Sequence, residues 1–174
     1  ASTDATTKAN AAQAAAIASA ATLYAPLAAP ALLTYSGGSQ VNATTTFANI
    51  HSSAAWAVGS TGLYEFVANI NYDVNATSNG AKFSVNSSDV TFSFLAITCD
   101  YTSGGASRSS SRSSGYNTGL AGNASAVATG NGATLRGTIM VTATGTLSLS
   151  FGALTAVANA VTVTAVTGYI RKLN

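Results

Sequence analysis

Gly62-Leu63-Tyr64-Glu65-Phe66-Val67-Ala68-Asn69-Ile70-Asn71-Tyr72-Asp73-Val74 alternates without a break. Tyr64, Phe66, Ala68, Ile70, Tyr72 and Val74 occupy the even positions. Glu65, Val67, Asn69, Asn71 and Asp73 occupy the odd ones. A period of two sends one set into a core and the other towards water, which predicts a half-buried strand. Each buried ring contributes about 1.5–3 kcal/mol. No other segment sets as much apolar area in register, so this strand is expected at the centre of a sheet.

The surroundings are unusual in composition. Of the 174 residues, 47% are apolar, many of them alanine, and 7% are charged, against about 25% in an ordinary soluble domain. Ser, Thr, Asn and Gly must therefore cover the surface. A net charge of +2 on so few groups leaves no basic footprint for nucleic acid and no basic run for a membrane surface. Cys99, the one cysteine, forms no internal disulfide and is expected as a buried thiol in an apolar strand. His51 alone cannot build a multi-histidine metal site.

Residues 5–24 read as an Ala-rich helix, with Asp4 as its N-cap. Ala9, Ala16 and Leu23 fall on one seam position, and Ala5, Ala12 and Ser19 on the other. So thin a seam barely holds a helix in water unless it finds partners, and identical copies supply them. The alternative is an arm lying on another surface. Asn10, Gln13, Ser19, Pro26 and Pro30 argue against a membrane span over residues 9–33. Pro26 and Pro30 end the helix and impose extended chain. Leu27, Leu32 and Leu33 are expected to fasten this connector to the globular part. Residues 1–34 are thus read as stem and linker, and 35–174 as one head domain.

After Gly37-Gly38 the pattern is β. Strands are expected over 44–50 around Phe47, 54–58, 62–74 and 81–85. Residues 90–99 follow, with Val90, Phe92, Phe94 and Ala96 on one face and Leu95, Ile97 and Cys99 on the other. Apolar residues on both faces imply burial on two sides, against another subunit at Phe94. Residues 102–133 are rich in Ser, Gly and Asn, and an irregular strand is expected within 120–129. Strands at 134–142 and 146–151 enclose a turn at Ala143-Thr144-Gly145. The last strand, 161–173, switches its apolar parity near Ala165-Val166, which implies a bulge. About eight short strands after one helix predict an all-β antiparallel sandwich or jelly roll. The rings of Tyr64, Phe66, Tyr72, Phe92 and Phe94 are expected inside it.

Four segments carry a resemblance. Gly62-Leu63-Tyr64-Glu65-Phe66 resembles the glycine–aliphatic–Tyr–x–Phe strand of C1q/tumour-necrosis-factor jelly rolls, and Thr167-Gly168-Tyr169-Ile170-Arg171-Lys172-Leu173 is similar to that family's closing strand. Leu135 to Leu147 resembles C-terminal heads of bacteriophage fibre and spike proteins, and Leu23 to Leu32 a linker of phage tail fibres. The resemblance implies a TNF/C1q-like jelly-roll head, a homotrimer and a place on the virion surface. Ala9, Ala12, Ala16, Leu23 and Phe94 are the expected contacts between copies. The calcium-site acids of some relatives find no match, because Asp73, Asp89 and Asp100 lie far apart in sequence.

Catalytic chemistry is thinly provided. Glycoside hydrolysis needs two carboxylates at a set separation; Asp73 and Asp89 could meet across neighbouring strands, an arrangement that chance makes common. A Ser–His–Asp triad would need His51. No Gly-rich phosphate loop opens a helix, and neither a cofactor nor a metal is implied. The segment Arg108-Ser109-Ser110-Ser111-Arg112-Ser113-Ser114-Gly115-Tyr116 is the candidate for recognition, with Arg108, Arg112 and Tyr116 as anchors among small hydroxyl residues. Its alternative is a solvated excursion. The expected function is non-enzymatic: a trimeric tail-fibre or spike head that binds a host-surface glycan or outer-membrane receptor. The alternative is a capsid decoration protein that binds other virion proteins.

Overall fold

The computed structural model describes residues 2–23, 29–103, 107–118 and 127–173. The helix α1 (Ser2–Leu23) precedes β1 (Ala31–Tyr35), β2 (Gln40–Asn42), β3 (Ala48–Asn49), β4 (Ala55–Val58) and β5 (Gly62–Val74). Then come β6 (Ala81–Asn86), β7 (Thr91–Ser103), β8 (Ser107–Ser113), β9 (Asn131–Ala143), β10 (Gly145–Ala153) and β11 (Val161–Lys172). The large sheet runs β1-β11-β5-β9-β7-β8, with β2 also paired to β11. The small sheet centres on β10, which pairs with β3, β4 and β6. Every pairing is antiparallel. The strands form an all-β two-sheet structure with one shared apolar core.

β5 lies at the centre as its alternation predicts, paired along its length with β11 and β9. Tyr64, Phe66, Ala68, Ile70, Tyr72 and Val74 are all buried. Their rings join the two sheets. Trp56 of the small sheet meets Phe66 with centroids 5.9 Å apart, and Tyr72 meets Phe83 edge-on at 5.2 Å. Phe83 in turn stacks on Tyr101 of the large sheet at 6.0 Å. Such pairs add about 0.5–1.5 kcal/mol each beyond the area they bury. Leu147, Leu149 and Phe151 of β10 point inward as their alternation requires. The parity switch in the last strand is a register shift between Val163 and Ala165.

Several expectations are corrected. The helix begins at Ser2, so Asp4 stands inside its first turn and pairs with Lys8 at 2.9 Å instead of capping it. β1 takes up Ala31–Tyr35, so the last residues read as linker belong to the sheet. There Leu33 is buried, whereas Leu32 is 79% exposed; Leu27 lies outside the described residues. The strand expected over 44–50 shrinks to Ala48–Asn49, and Phe47 instead carries the Lys82 ammonium 4.6 Å above its ring. Register shifts at Thr91/Phe92 and Phe92/Phe94 turn β7. Leu95, Ile97, Cys99 and Tyr101 then face inward, Phe92 is only partly buried, and Phe94 is 52% exposed. Of the expected strand at 120–129, residues 120–126 lie outside the described residues and 127–129 are bends.

Every described side chain from Asp4 to Ser19 of α1 is exposed, Ile17 to 62%. Ala9, Ala12 and Ala16 are thus not buried against any of the described residues, and the side chain of Leu23 lies outside the described residues. No described helix is long and apolar enough to cross a membrane.

Candidate functional site

The outward side of the large sheet is the face that the alternation leaves free. Its rows follow from the register. Leu32, Tyr169, Val67, Arg136, Thr98 and Arg112 succeed one another across β1, β11, β5, β9, β7 and β8. One row along the strands come Thr34, Thr167, Asn69, Thr134 and Asp100. In the opposite direction stand Arg171, Glu65, Thr138 and Ala96, and beyond them Leu63, Met140 and Phe94. The face therefore grades from an apolar end into a field of hydroxyl, amide and charged groups.

A groove of about 360 Å³ crosses three strands of this face, lined by Glu65, Phe66, Val67, Ala96, Thr98, Arg136, Gly137 and Thr138. Ala96, small and outward, lowers its floor, and Arg136 and Glu65 form its walls. Glu65 is held by the guanidinium of Arg171, with both side chains about one-third exposed. Arg136 reaches Asp100 only at 3.9 Å, with its side chain 61% exposed. That contact is a loose surface pair of little energetic weight.

The sequence-based recognition segment is not a loop. Ser107–Ser113 is the edge strand β8, in register with β7 so that Arg112 pairs with Thr98 and Arg108 with Thr102. Arg112 is exposed; the side chain of Arg108 lies outside the described residues. Tyr116 is not a free anchor. Its ring meets Phe92 edge-on at 4.8 Å, its hydroxyl donates to the Val90 carbonyl at 3.0 Å, and burial pushes its pKa up to about 12. The next residue closes the end of the sandwich: the Asn117 N–H donates to Val85 at 3.1 Å, and Asn117 Oδ1 accepts from Ser150 Oγ at 2.7 Å. This cover accounts for the burial of Ser150.

Asp73 and Asp89 serve turns separately. Asp73 accepts from the Gly130 N–H at 2.9 Å, while Asp89 accepts from Ser88 Oγ at 2.9 Å. His51 stacks on Tyr35 at 5.0 Å and contacts Ser53 through Nδ1. Among the described residues no three His, Cys, Asp or Glu side chains gather as a metal would require. Cys99 is buried and unpaired, its pKa pushed up to about 12 by desolvation.

Sequence reasoning missed that Thr98 and Arg136 share a row with Arg112, and that Glu65 lies on the adjoining row of the same face. The signal available was the outward parity of Arg136 between Leu135 and Gly137. Its distance of 24 positions from Arg112 hides the adjacency.

No family model and no curated protein matches the chain. Among solved structures, CBM35 from Cellvibrio japonicus Abf62 is similar at 15% identity and a TM-score of 0.34, over 84% of this chain and 99% of that one. A likeness of that size carries no argument about this protein.

Proposed function

We propose that this chain is a non-enzymatic, trimeric head of a bacteriophage fibre or spike, displayed at the virion surface, with α1 as its stem. The observation that carries the reading is α1 itself. A helix of 22 residues spans about 33 Å, yet the described side chains of its residues 4–19 are all exposed. Alanine propensity alone leaves such a helix marginal, so packing against copies of itself supplies its stability. Exposed Phe94, at the apolar end of the large-sheet face, offers a second contact between copies.

The jelly-roll reading draws support from connectivity. From β4 to β7 the chain passes from small sheet to large, back, and to large again. β9, β10 and β11 repeat the alternation. Consecutive strands that face each other across a core are the habit of jelly rolls. The segments resembling C1q/TNF and phage-fibre heads fall on β5, on β9 into β10, and on β11. A receptor on the host surface is the proposed ligand. Decoration of a capsid by the same head is the competing use, and it would spread α1 over neighbouring chains instead of bundling it.

Sedimentation equilibrium of residues 1–174 tests the assembly: a trimer is expected, and loss of residues 1–23 is expected to weaken it. Gold-labelled antibody against residues 35–174 on purified particles tests the location, with label at fibre or spike tips expected. A stable lone subunit overturns the head reading. Label spread evenly over capsids selects decoration.

A further inference from the structure

We infer that the large-sheet face binds a carboxylate-bearing polysaccharide, with Arg136 and Arg112 each taking one carboxylate. The inference rests on the proposed surface-head reading and names the class of glycan. The chain has four arginines, Arg108, Arg112, Arg136 and Arg171, and all four lie on strands of the large sheet. In a molecule with 7% charged residues, Arg112, Arg136 and Arg171 concentrate charge on the outward rows of this sheet. Arg171 is committed to Glu65. Arg136 is held only loosely, and among the described residues no carboxylate pairs with Arg112. Two guanidinium forks therefore stand ready for an external acceptor.

Their spacing selects the ligand. Arg136 and Arg112 share one row, with Thr98 of β7 between them. Two strand spacings separate their backbones by about 10 Å, roughly the length of a disaccharide. Acid groups on alternate sugars of a chain laid across the strands would meet both. A guanidinium fork pairs with a planar carboxylate through two parallel hydrogen bonds. Along the same row, half-buried Tyr169 and Val67 offer an apolar surface for the C–H face of a sugar ring. Thr98 and Thr138 in the groove supply partners for sugar hydroxyls. Asp100 and Glu65 on the same face accept hydroxyl protons but repel a densely charged polyanion. This balance favours a sparsely charged glycan over nucleic acid.

The test measures binding of hyaluronan fragments, which carry one carboxylate per disaccharide, to the full chain by titration calorimetry, with neutral dextran, dextran sulfate and single-stranded DNA alongside. Binding of hyaluronan alone is expected. Arg136→Ala and Arg112→Ala are each expected to weaken it about tenfold, with unchanged melting temperature because both side chains are exposed. Arg136→Lys, which keeps the charge and loses the fork, is expected to recover only part of the affinity. Equal binding by the variants, or equal or tighter binding of any of the other three polymers, overturns the inference. The two readings fail separately. Trimers that label fibre tips yet ignore hyaluronan retain the head and lose the ligand. Lone subunits that bind hyaluronan lose the head and retain the ligand.

Discussion

The backbone N–H of Phe83 donates to the phenol oxygen of Tyr101 at 3.1 Å, across the interior from one sheet to the other. Phe83 lies on β6, which pairs with β10, and this amide is satisfied by a side chain from β7. The two rings also stack. One phenol thus joins the sheets by a polar and an apolar contact at once. Burial holds the Tyr101 pKa far above its ordinary value, so it remains a neutral phenol.

Tyr101→Phe is therefore expected to keep the stacking and strand the Phe83 N–H without a partner. An unsatisfied buried donor costs about 1–3 kcal/mol. Urea unfolding should show a lower midpoint with an unchanged slope. A midpoint equal to wild type would show that the bond contributes nothing.

Gly137 sits opposite Phe66 on β5 and Ile97 on β7, on inward register positions. A Cβ there would collide with the Phe66 ring and crowd the Ala96 carbonyl. Gly137→Ala is expected to cost about 1–3 kcal/mol through overpacking. Adding Phe66→Leu should make the double variant less destabilised than the two single costs combined, a coupling that a double-mutant cycle reads directly. Strict additivity would mean that the ring is not what Gly137 accommodates.

How far the sequence discloses these relationships depends on where side-chain size changes along a strand. β5 and β10 are legible because large apolar groups alternate with Glu, Asn, Thr or Ser. The β11 bulge is legible because Val161 and Val163 lie out of phase with Val166 and Ile170. β8 is not: Ser107–Ser113 has no apolar face, low strand propensity and two arginines. Its pairing comes from β7 and not from its own residues. Phe94 is misplaced by simple alternation because the register shift between Phe92 and Phe94 passes over Ser93 and reverses the parity of β7 after Phe92. The groove is hidden for a related reason. Glu65, Thr98 and Arg136 are adjacent only through antiparallel register, which no local period reveals.

Asn42 offers a sharper test of a polar device in the core. Its amide nitrogen donates to the carbonyls of Phe151 at 2.8 Å and Thr46 at 3.0 Å, and its oxygen accepts from the Thr44 N–H at 2.8 Å. Asn42→Ala is expected to cost about 1–3 kcal/mol by leaving these groups unpaired. Asn42→Asp should cost more at neutral pH, because a carboxylate would face two carbonyl oxygens and an ionised acid cannot donate. Hydrogen exchange at Thr44 should accelerate in the alanine variant, which removes its acceptor. An aspartate variant as stable as wild type would contradict this donor assignment.

The pH dependence follows from Cys99 and Tyr101. Desolvation raises the Cys99 thiol from 9.0 to about 12, and burial raises the Tyr101 phenol as well. The unfolded chain then loses its protons at lower pH than the folded one. The resulting stability is fully present below about pH 9 and declines as the pH rises towards 12. Equilibrium unfolding between pH 8 and 11 should show a steady fall in stability, and Cys99→Ala should make that fall shallower. The buried thiol should also resist iodoacetamide at pH 8 and react at the rate at which the sandwich opens. Rapid alkylation of the folded protein, or flat stability up to pH 11, would place the Cys99 sulfur in contact with water and remove the basis for this prediction.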